Sequence, residues 1–436
     1  MNNKELILHK IANNQLVVGI VGLGYVGLPL AVGFAEAGVR VLGFDNNEDK
    51  VKRINNGENY IKDVRDAVLR EVVNSTKFHA TSDFSGIGEC DALLICVPTP
   101  LDRFKKPDMS YIESACTEIG KYMKTATFIS LESTTYPTTT EDFILPILEK
   151  VSGLKHGTDF WLAYSPERVD PGNKQYATKN TPKVLGALTE DGLEIGKSVY
   201  QFAIDNIFTV SSPRVAEMVK ILENTYRLVN ISLINELALL AGKMDINIWE
   251  VIEAAKTKPF GFQAFYPGPG IGGHCIPLDP FYLEHIAKKF DFDLSMIHTA
   301  GHIDMLMPHR MTIKINSALN RQKKSINGSK ILFMGVAYKP NIDDARESPA
   351  LKIMDEVVKK GGDISYHDPF ISSITTGDGN TFNSVELSAD VLANADCVVI
   401  TTNHSEFKAD FIEGNASLIV DLRNVIKDES EKVYKL

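Results

Sequence analysis

The sequence contains few cysteines, little tryptophan and no long apolar run. Its 436 residues include five cysteines and two tryptophans, and no Cys-x-x-Cys spacing occurs. An odd number of cysteines without that spacing argues against a disulfide framework and against a zinc site. No apolar run approaches the roughly 18 residues that a membrane-spanning helix needs. We therefore expect a cytoplasmic protein with reduced thiols, no membrane partner and no metal.

Positive charge is also scarce. The chain has 46 lysines and arginines against 56 aspartates and glutamates, which gives a net charge of −10. Proteins that bind nucleic acids usually present a basic face, so we expect no nucleic-acid partner. Near the N-terminus the apolar run at residues 6–8 is too short for a signal peptide, and we expect a short amphipathic lead-in. The length and the 44% hydrophobic content predict two or three domains with buried cores.

A glycine-rich turn lies near the N-terminus, between segments with strand and helix character. Residues 16–21 are apolar and rich in β-branched side chains, which predicts a buried parallel strand. Gly22-Leu23-Gly24-Tyr25-Val26-Gly27 follows directly, and residues 28–37 form an apolar helical stretch. A second predicted strand, residues 39–44, ends in Asp45. This is the GxGxxG fingerprint of a dinucleotide-binding unit in its required strand–turn–helix context.

Each residue of this fingerprint has a physical task. Gly22 makes the turn, Gly24 lets a pyrophosphate approach the backbone, and Gly27 lets the helix pack against the strand. The free N–H groups at the start of the helix face the phosphates. Asp45 is placed to accept hydrogen bonds from a ribose and would repel a 2′-phosphate, so NAD is favoured over NADP. The alternative is a glycine-rich turn in another kind of α/β domain.

Polar residues follow three further predicted strands. Residues 91–97 lead into Pro98 and Thr99, and residues 127–131 lead into Ser133 and Thr134. Ligands of open parallel sheets bind outside the carboxyl ends of the strands, so these residues are candidates to face a cofactor or substrate. The alternative for Thr99 and Thr134 is ordinary turn capping.

The third of these strands, residues 161–164, precedes a charged loop at residues 165–172. The loop contains the acid pair Glu167 and Asp170, followed by Pro171. A charged loop is usually only solvated, and a chemical role for Glu167 is the alternative.

A long helix is predicted from Pro213 to about residue 240, and the pattern restarts over residues 246–255. About 30 helical residues span about 45 Å, more than one small domain needs, so we expect the helix to join two domains and to pack against a second copy of itself. Lys220 and Asn224 share one face, with Glu217 one turn earlier. They form either a solvent-facing polar stripe or part of a cleft. The i, i+3, i+4 spacing predicts one buried face made of Val215, Met218, Val219, Leu222, Tyr226, Val229 and Leu233.

The stretch from residue 268 to residue 280 reads Gly-Pro-Gly-Ile-Gly-Gly-His-Cys-Ile-Pro-Leu-Asp-Pro. Neither a helix nor a strand favours this composition, whereas a rigid loop does. Cys275 stands among the glycines and is the candidate reacting thiol. We expect Cys90, Cys96, Cys116 and Cys397 to be inert core thiols.

The rest of the chain predicts a second lobe. Residues 281–319 read as helix with an interruption near Pro308, and residues 322–329 read as a domain boundary. After it, strands are predicted at residues 330–336, 364–367, 396–402 and 418–422, with a helix at residues 348–360. Asp368 ends one of these strands as Asp45 does in the first lobe, although GxGxxG is missing here.

The fold class is therefore α/β, with two Rossmann-like lobes joined by a helical central domain that contains one long helix. The predicted domains are residues 1–210 for NAD binding, 211–322 for the helical centre with the cysteine loop, and 323–436 for a second nucleotide. A hydride acceptor and a thiol together suggest the oxidation of an aldehyde to an acid through a thiohemiacetal and a thioester.

At this point the chain resembles the UDP-glucose/UDP-N-acetylhexosamine 6-dehydrogenases over nearly its whole length. The motifs that carry the resemblance are Gly22 to Gly27, Val97-Pro98-Thr99-Pro100, Glu132-Ser133-Thr134, Ser165-Pro166-Glu167-Arg168, Lys220-x-x-x-Asn224, Gly272-Gly273-His274-Cys275-x-x-x-Asp279 and Arg346-Glu347-Ser348-Pro349. Members of this family oxidise C6 of the sugar to a carboxylate with two NAD⁺ and keep the intermediate on the enzyme. The resemblance therefore implies a cytoplasmic homodimer or higher homo-oligomer with NAD as its cofactor and a UDP-sugar as its substrate.

The resemblance also implies residue roles. Cys275 would be the nucleophile, Lys220 and Asn224 would stabilise the oxyanion, Asp279 would serve proton transfer or orient a water, and Glu167 and Thr134 would assist the hydrolytic water. The implied cofactor-binding residues are Gly22, Gly24, Tyr25, Val26, Gly27, Asp45, Pro98, Thr99 and Arg346. The implied substrate-binding residues are Glu167, Arg168, Lys220, Asn224, Gly272, Gly273 and Lys339. His274 stays outside the implied catalytic set.

One departure from the family pattern concerns the sugar. Pro171 stands where UDP-glucose dehydrogenases have a second glutamate, which points to a 2-acetamido sugar, and the residues after Cys275 look most like UDP-N-acetylglucosamine 6-dehydrogenases. We expect UDP-GlcNAc, with a product used in surface polysaccharide or O-antigen synthesis. The alternatives are UDP-GalNAc, UDP-ManNAc or UDP-glucose as the substrate, a two-electron hydroxyacid-type dehydrogenase, and a non-catalytic sugar-nucleotide-binding protein.

Overall fold

A computed structural model of the protein describes residues 1–61, 64–102, 106–169, 175–273, 275–428 and 430–436. The chain divides into two units, one made of Met1–Glu223 with Phe281–Phe292 and the other of Asn224–Pro280 with Asp293–Leu436. Asp170, Pro171 and His274 lie outside the described residues. Within the described part, a search for helices long and apolar enough to cross a bilayer returned none.

The first unit is built on an eight-stranded sheet with the order β3-β2-β1-β4-β5-β6-β7-β8. All neighbouring strands are parallel except β6 and β7. The order reverses between β1 and β4, so the loops after these two strands diverge and leave a crevice, as in dinucleotide-binding sheets. The strands are β1 (Val17–Val21), β2 (Arg40–Phe44), β3 (Phe78–Thr81), β4 (Ala92–Ile95), β5 (Thr127–Leu131), β6 (Phe160–Tyr164), β7 (Lys183–Ala187) and β8 (Ile207–Val210).

Helices cover this sheet and bury its apolar strands. Residues of β4, β5 and β6 are buried throughout, as expected for continuous apolar runs in a parallel sheet. The N-terminal lead-in is a helix whose start is closed by a capping box between Asn2 and Glu5. The α-helices of this part are α1 (Asn3–Ala12), α2 (Gly27–Glu36), α3 (Glu48–Asn55), α4 (Asp66–Asn74), α5 (Ser110–Tyr122), α6 (Leu145–Ser152) and α7 (Glu190–Tyr200), with a 3-10 helix at Phe84–Glu89 and a π-helix at Thr139–Ile144.

The second unit contains a five-stranded parallel sheet with the order β10-β9-β13-β14-β15 and a separate hairpin, β11–β12. The expectation of two Rossmann-like lobes is confirmed. The acid that ends the second strand has the same backbone task in both lobes, because Asp45 accepts from Leu23 N at 2.9 Å and Asp368 accepts from Val336 N at 2.7 Å. The strands are β9 (Lys330–Met334), β10 (Asp363–His367), β11 (Ser373–Thr375), β12 (Thr381–Asn383), β13 (Cys397–Ile400), β14 (Ile419–Asp421) and β15 (Val433–Lys435).

Among the remaining helices, one predicted helix break differs from the structure. The expected interruption near Pro308 is wrong, since Pro308 lies inside a continuous helix and the break comes earlier, after Asp291 takes a left-handed φ of 52°. A proline removes one helical hydrogen bond, but Met307 and Met311 on either side of it are fully buried in the core and keep the helix intact. The helices are α8 (Pro213–Lys243), α9 (Ile248–Lys256), α10 (Asp279–Ala287), α11 (Ser295–Arg321), α12 (Pro349–Lys359), α13 (Ala389–Ala393) and α14 (Ala409–Asn415), with a 3-10 helix at Lys288–Phe290.

The prediction that one apolar face of α8 is buried is also wrong for the single chain. Leu222 is 60% exposed and Leu233 is 48% exposed, while the polar residues Glu217, Lys220 and Asn224 are buried. Several polar side chains of the helix are thus buried and much of its predicted apolar face is exposed, although Ile221 and Leu228 are buried as well. Burial of Lys220 and Asn224 rules out the solvent-facing stripe.

Candidate active site

The glycine-rich turn after β1 has the shape that a bound dinucleotide requires. Gly22 has a φ of 94°, and a Cβ there would lie 2.7 Å from the carbonyl oxygen of Cys96. A Cβ on Gly27 would lie 1.9 Å from the carbonyl oxygen of Gly22, so helix and strand pack as closely as expected. Gly24, in contrast, has no atom within 4 Å of its Cβ position. The open backbone at Gly24 fits a pyrophosphate.

The start of α2 and the end of β2 complete this turn. Val26 caps α2 without any side-chain hydrogen bond, Leu28 N donates to the carbonyl oxygen of Gly24 at 3.0 Å, and Tyr25 is 53% exposed beside the turn. The Asp45 carboxylate accepts from Leu23 N and Asn47 N at 2.9 Å each. Because a carboxylate offers about four lone pairs, Asp45 retains capacity for ribose hydroxyls.

The loops after β4 and β5 are tied to each other. Thr99 Oγ1 donates to the carbonyl oxygen of Thr134 at 2.8 Å, and Ser133 Oγ donates to the carbonyl oxygen of Val97 at 2.7 Å. The Thr99 hydroxyl therefore joins the two loops. Tyr282 of α10 also donates to the carbonyl oxygen of Thr99. Thr99 and Thr134 are brought together at the carboxyl edge of the first sheet.

The loop after β6 meets α8 within the first unit. Lys220 Nζ donates to the carbonyl oxygen of Glu167 at 2.7 Å. The Glu167 side chain accepts from Arg168 N at 2.8 Å and from Val169 N at 2.7 Å, both on Oε1. Arg168 in turn forms two hydrogen bonds with Glu223, at 2.6 and 3.3 Å. Three predicted site residues, Glu167, Arg168 and Lys220, are therefore held in one arrangement.

The cysteine loop lies in the second unit. Cys275 is exposed, whereas Cys90, Cys96, Cys116 and Cys397 are buried, and all five are thiols rather than disulfides, as expected. The carbonyl oxygen of Cys275 accepts from Asp279 N at 2.8 Å, which closes the turn into α10.

Asn224 and Asp279 meet beside that turn. Asn224 Nδ2 donates to Asp279 Oδ2 at 2.6 Å, and both side chains are 5% exposed. A buried carboxylate needs such a partner, because burial of an unpaired charge is costly. This pair and the Cys275 turn form one group of predicted catalytic residues.

The two loop glycines have a packing task. A Cβ on Gly272 would lie 2.5 Å from Tyr338 Cβ, and a Cβ on Gly273 would lie 2.9 Å from the Tyr338 ring. Gly273 also has a φ of 81° and donates through its N–H to the carbonyl oxygen of Arg346 at 3.2 Å. The loop that presents Cys275 thus rests on the segment after β9, where Lys339 is partly buried and Arg346 is exposed with Nε 2.9 Å from Asp344.

Comparison with family models now identifies the chain. Consecutive segments match the NAD binding domain, the central domain and the UDP binding domain of the UDP-glucose/GDP-mannose dehydrogenase family, at residues 16–204, 214–305 and 332–428. The chain belongs to this family. It is an NAD-dependent oxidoreductase, and its first lobe is the NAD-binding domain. The fit of Gly24 and Asp45 to a dinucleotide agrees with that assignment.

Individual relatives cover almost all of the chain. A UDP-N-acetyl-D-mannosamine dehydrogenase of Pyrococcus horikoshii is 34% identical over 94% of this chain and 96% of its own length. A UDP-N-acetyl-D-glucosamine 6-dehydrogenase of Pseudomonas aeruginosa is also 34% identical, over 90% and 92%. The solved structure of the UDP-D-ManNAc dehydrogenase from P. horikoshii has a TM-score of 0.88 at 32% identity and covers 96% of this chain and 99% of its own.

This dehydrogenase has a buried ion pair below the site that the sequence did not reveal. Lys183 Nζ lies 2.5 Å from Glu132 Oε2, and the Tyr200 hydroxyl donates to the other carboxylate oxygen. Burial raises the pKa of Glu132, and the Lys183 ammonium opposes that rise. The sequence placed Glu132 at the end of β5, but nothing in it indicated Lys183, which lies 51 residues further along.

Arg423 was missed as well. It follows β14, and its Nη1 would lie 2.3 Å from a Cβ on Gly268, so the guanidinium rests on the glycine loop. Nε donates to the carbonyl oxygen of Thr401 at 3.1 Å, and the described residues place no carboxylate within ion-pair distance. Burial lowers the pKa of Arg423 to about 10. Its place after a strand of the second lobe was the signal that could have found it. In the described part of the chain no group of acidic, histidine or cysteine side chains could hold a metal.

Proposed function

We propose that this dehydrogenase oxidises C6 of a UDP-N-acetylhexosamine to the carboxylate, with UDP-GlcNAc as the preferred substrate. One alcohol, two NAD⁺ and one water would give one carboxylate, two NADH and three protons. The observation that carries the proposal is the exposed Cys275 thiol on its loop beside the buried Asn224–Asp279 hydrogen bond. A dehydrogenase that transferred only one hydride and released its product would need no such thiol.

In this reaction Cys275 forms and breaks the covalent bonds. Its sulfur adds to the C6 aldehyde, and the thiol proton passes to the oxygen, which gives a thiohemiacetal. Loss of a hydride from that carbon and of the proton from its hydroxyl group gives a thioester, and attack by water releases the carboxylate and restores the thiol. NAD⁺, when bound, supplies the hydride acceptor.

Lys220 and Asn224 would stabilise the C6 oxygen as negative charge develops on it. An ammonium has three N–H donors, and the contact with the Glu167 carbonyl occupies one of them. The Asn224 amide has two, and Asp279 occupies one. Removal of one donor to a developing oxyanion typically lowers kcat by about 10²–10³-fold. Asp279, held by Asn224, would take the proton or orient the water.

Glu167 and Thr134 would act on the hydrolytic water. Both backbone contacts of the Glu167 carboxylate fall on Oε1, so Oε2 is available to accept a proton from water. Arg168 holds the same loop through Glu223. Glu167 would thus serve as the general base for thioester hydrolysis.

The second lobe would bind the UDP portion of the substrate. Arg423 lacks an acidic partner among the described residues and therefore suits a phosphate, since a guanidinium binds phosphate oxygens through paired N–H donors. Lys339 would contribute charge to the sugar nucleotide, and Arg346 would contact the cofactor. Gly272 and Gly273 would bring loop backbone next to the substrate.

Mannosamine is the second candidate sugar, because the P. horikoshii relative with that name aligns over 94% of the chain and its structure has a TM-score of 0.88. UDP-GlcNAc remains preferred because of the residues that follow Cys275. The deciding experiment is an NADH assay with UDP-GlcNAc, UDP-ManNAc, UDP-GalNAc and UDP-glucose side by side. The proposal expects the highest kcat/KM for UDP-GlcNAc, and a clear preference for UDP-glucose would overturn the assignment to a 2-acetamido sugar.

We further propose a homodimer formed through α8. Its outward apolar residues include Leu222, Leu233 and Leu240, which are 60%, 48% and 52% exposed. A contiguous apolar face of this kind marks an interaction surface, and a second copy of the same helix has the matching pattern.

The domain division at residues 1–210, 211–322 and 323–436 remains our proposal for how NAD binding, the cysteine loop and UDP binding are distributed. A cytoplasmic location is proposed because the exposed Cys275 thiol must stay reduced. We propose that the uronate product, activated by its UDP group, is consumed by sugar transfer into a surface polysaccharide.

A further inference from the structure

One buried acid of the first unit has no part in the proposed chemistry. Glu217 on α8 is fully buried. Its Oε2 accepts from Thr138 N at 2.7 Å, and its Oε1 accepts from Thr140 N at 2.9 Å and from Thr140 Oγ1 at 2.7 Å. All three hydrogen bonds reach from α8 to one short loop, about 80 residues away in sequence.

That loop has a conformation that needs an external anchor. Thr138 has a φ of 87°, in the left-handed region that β-branched residues strongly disfavour. The π-helix Thr139–Ile144 starts directly after it, and Thr138 provides no side-chain cap. The Glu217 carboxylate takes that place by accepting two of the first N–H groups. Glu217 therefore fixes a strained backbone and the start of a helix together.

The same loop carries Thr134. Its near end is fastened by the hydrogen bond from Thr99 to the carbonyl oxygen of Thr134, and its far end is fastened by Glu217. Between them, Tyr136 packs in a small apolar cluster with Ile221 and Tyr282. Because Lys220 lies one turn after Glu217 on α8, one short stretch of helix carries both Lys220 and the anchor of the Thr134 loop.

We propose that Glu217 is a positioning residue for thioester hydrolysis. It holds the Thr134 loop at a fixed position relative to Lys220. The proposal rests on the roles of Thr134 and Lys220 in the proposed function. Glu217 touches neither substrate nor cofactor in this account and acts only through the loop.

The electrostatic surroundings make this anchor sensitive to pH. Burial raises the pKa of Glu217 to about 7, the hydrogen bonds from Thr140 and Thr138 oppose the rise, and Glu141 on the π-helix adds to it. Other titratable groups nearby include Arg214 on α8, which is ion-paired with Glu141 and lies near Asp142. They also include Tyr136 in the loop and His285 of α10, whose ring centroid lies 5.7 Å from that of Tyr136. A protonated carboxyl is a poorer acceptor, so the bond to Thr138 N weakens as pH falls through about 7.

The test compares Glu217→Gln with the matched control Glu236→Gln, an exposed glutamate further along α8. Glutamine retains one oxygen for Thr140 but turns an NH₂ group towards Thr138 N–H. We expect kcat to fall by roughly 10–100-fold, because small displacements of catalytic groups have effects of that size, with both KM values within about threefold. Rapid mixing should still show a burst of about two NADH per active chain before the slow steady state, because the hydride steps precede hydrolysis. In the wild type, kcat should fall as the pH drops through about 7, because Glu217 becomes protonated. This fall, the acid limb of the pH profile, should be absent in Glu217→Gln.

Other outcomes would overturn the proposal. In the first, Glu217→Gln has the same kcat and the same acid limb as the wild type. In the second, the NADH burst of the variant shrinks in proportion to its kcat, which would mean that part of the folded protein is inactive. If Glu217→Gln does not fold, Thr140→Val removes one of the three hydrogen bonds with little change in volume and should slow hydrolysis in the same way. A wild-type enzyme that forms one NADH per product would instead overturn the proposed function, whatever the variant does.

Discussion

Replacement of Lys183 by methionine should sharply destabilise the first unit. Lys183 is 5% exposed and Glu132 is 1% exposed, and their charged atoms lie 2.5 Å apart. Removal of one partner of a buried pair leaves an uncompensated charge, which costs about 3–5 kcal/mol. For a unit of about 200 residues, that loss corresponds to a fall in Tm of about 6–20 °C.

The sign of the pH dependence follows from Glu132. Burial already raises the pKa of Glu132, and loss of the Lys183 ammonium removes the main opposing influence and raises the pKa further. A carboxyl with a raised folded-state pKa stabilises the fold below its unfolded pKa, and that stability is lost as pH rises. The Lys183→Met variant should therefore lose more stability at alkaline pH than at acid pH.

The two tryptophans provide the assay. Trp161 lies in the first unit and Trp249 in the second, so urea unfolding of Trp249→Phe variants follows the first unit through Trp161 alone. The double variant Lys183→Met with Glu132→Gln should recover most of the loss, because it buries no charge while Tyr200 keeps an acceptor. A free energy of unfolding of Lys183→Met within about 1 kcal/mol of the parent value would refute this reasoning. So would a double variant that loses as much stability as the two single variants added together.

Three further predictions test other parts of the molecule. Asp45→Asn should lower kcat/KM for NAD and raise it for NADP, each by about tenfold, as measured by initial rates with both cofactors; an unchanged ratio would remove Asp45 from cofactor selection. Gly273→Ala should destabilise the second unit by about 1–3 kcal/mol, because alanine is strained at a φ of 81° and its Cβ would lie 2.9 Å from Tyr338, and urea unfolding followed by Trp249 should show it. Leu222→Glu should convert the proposed dimer to monomers in analytical ultracentrifugation, and a wild-type sedimentation coefficient would refute the α8 interface.

Much of the fold was predictable because local signals and global structure agree in both lobes. Apolar β-branched runs gave the parallel strands, and an acid ended the second strand of each lobe, at Asp45 and at Asp368. The GxGxxG turn needs glycine at Gly22 and Gly27, because a Cβ at either position would clash with a backbone carbonyl oxygen. Cys275 stood out because it closely follows the glycine-rich run from Gly268 to Gly273, and it is the exposed cysteine of the five.

The features that sequence reasoning missed depend on residues that are distant in the chain. Lys183 and Glu132 pair across 51 residues, and neither position has a local pattern that names the other. The continuity of α11 through Pro308 depends on core packing by Met307 and Met311 rather than on helix propensity. The predicted buried face of α8 is wrong because periodicity identifies an apolar stripe but does not say what covers it, and Leu222 and Leu233 of that stripe are exposed.

In the proposed four-electron oxidation, Cys275 holds the intermediate. The most direct test is to let the wild-type enzyme consume a limiting amount of UDP-GlcNAc with excess NAD⁺ and to measure both NADH and the UDP-linked acid. The four-electron mechanism predicts two NADH for each carboxylate formed and no released aldehyde, with Cys275→Ala forming no acid while it still binds NAD. A ratio of one NADH per product, or full acid formation by Cys275→Ala, would contradict it.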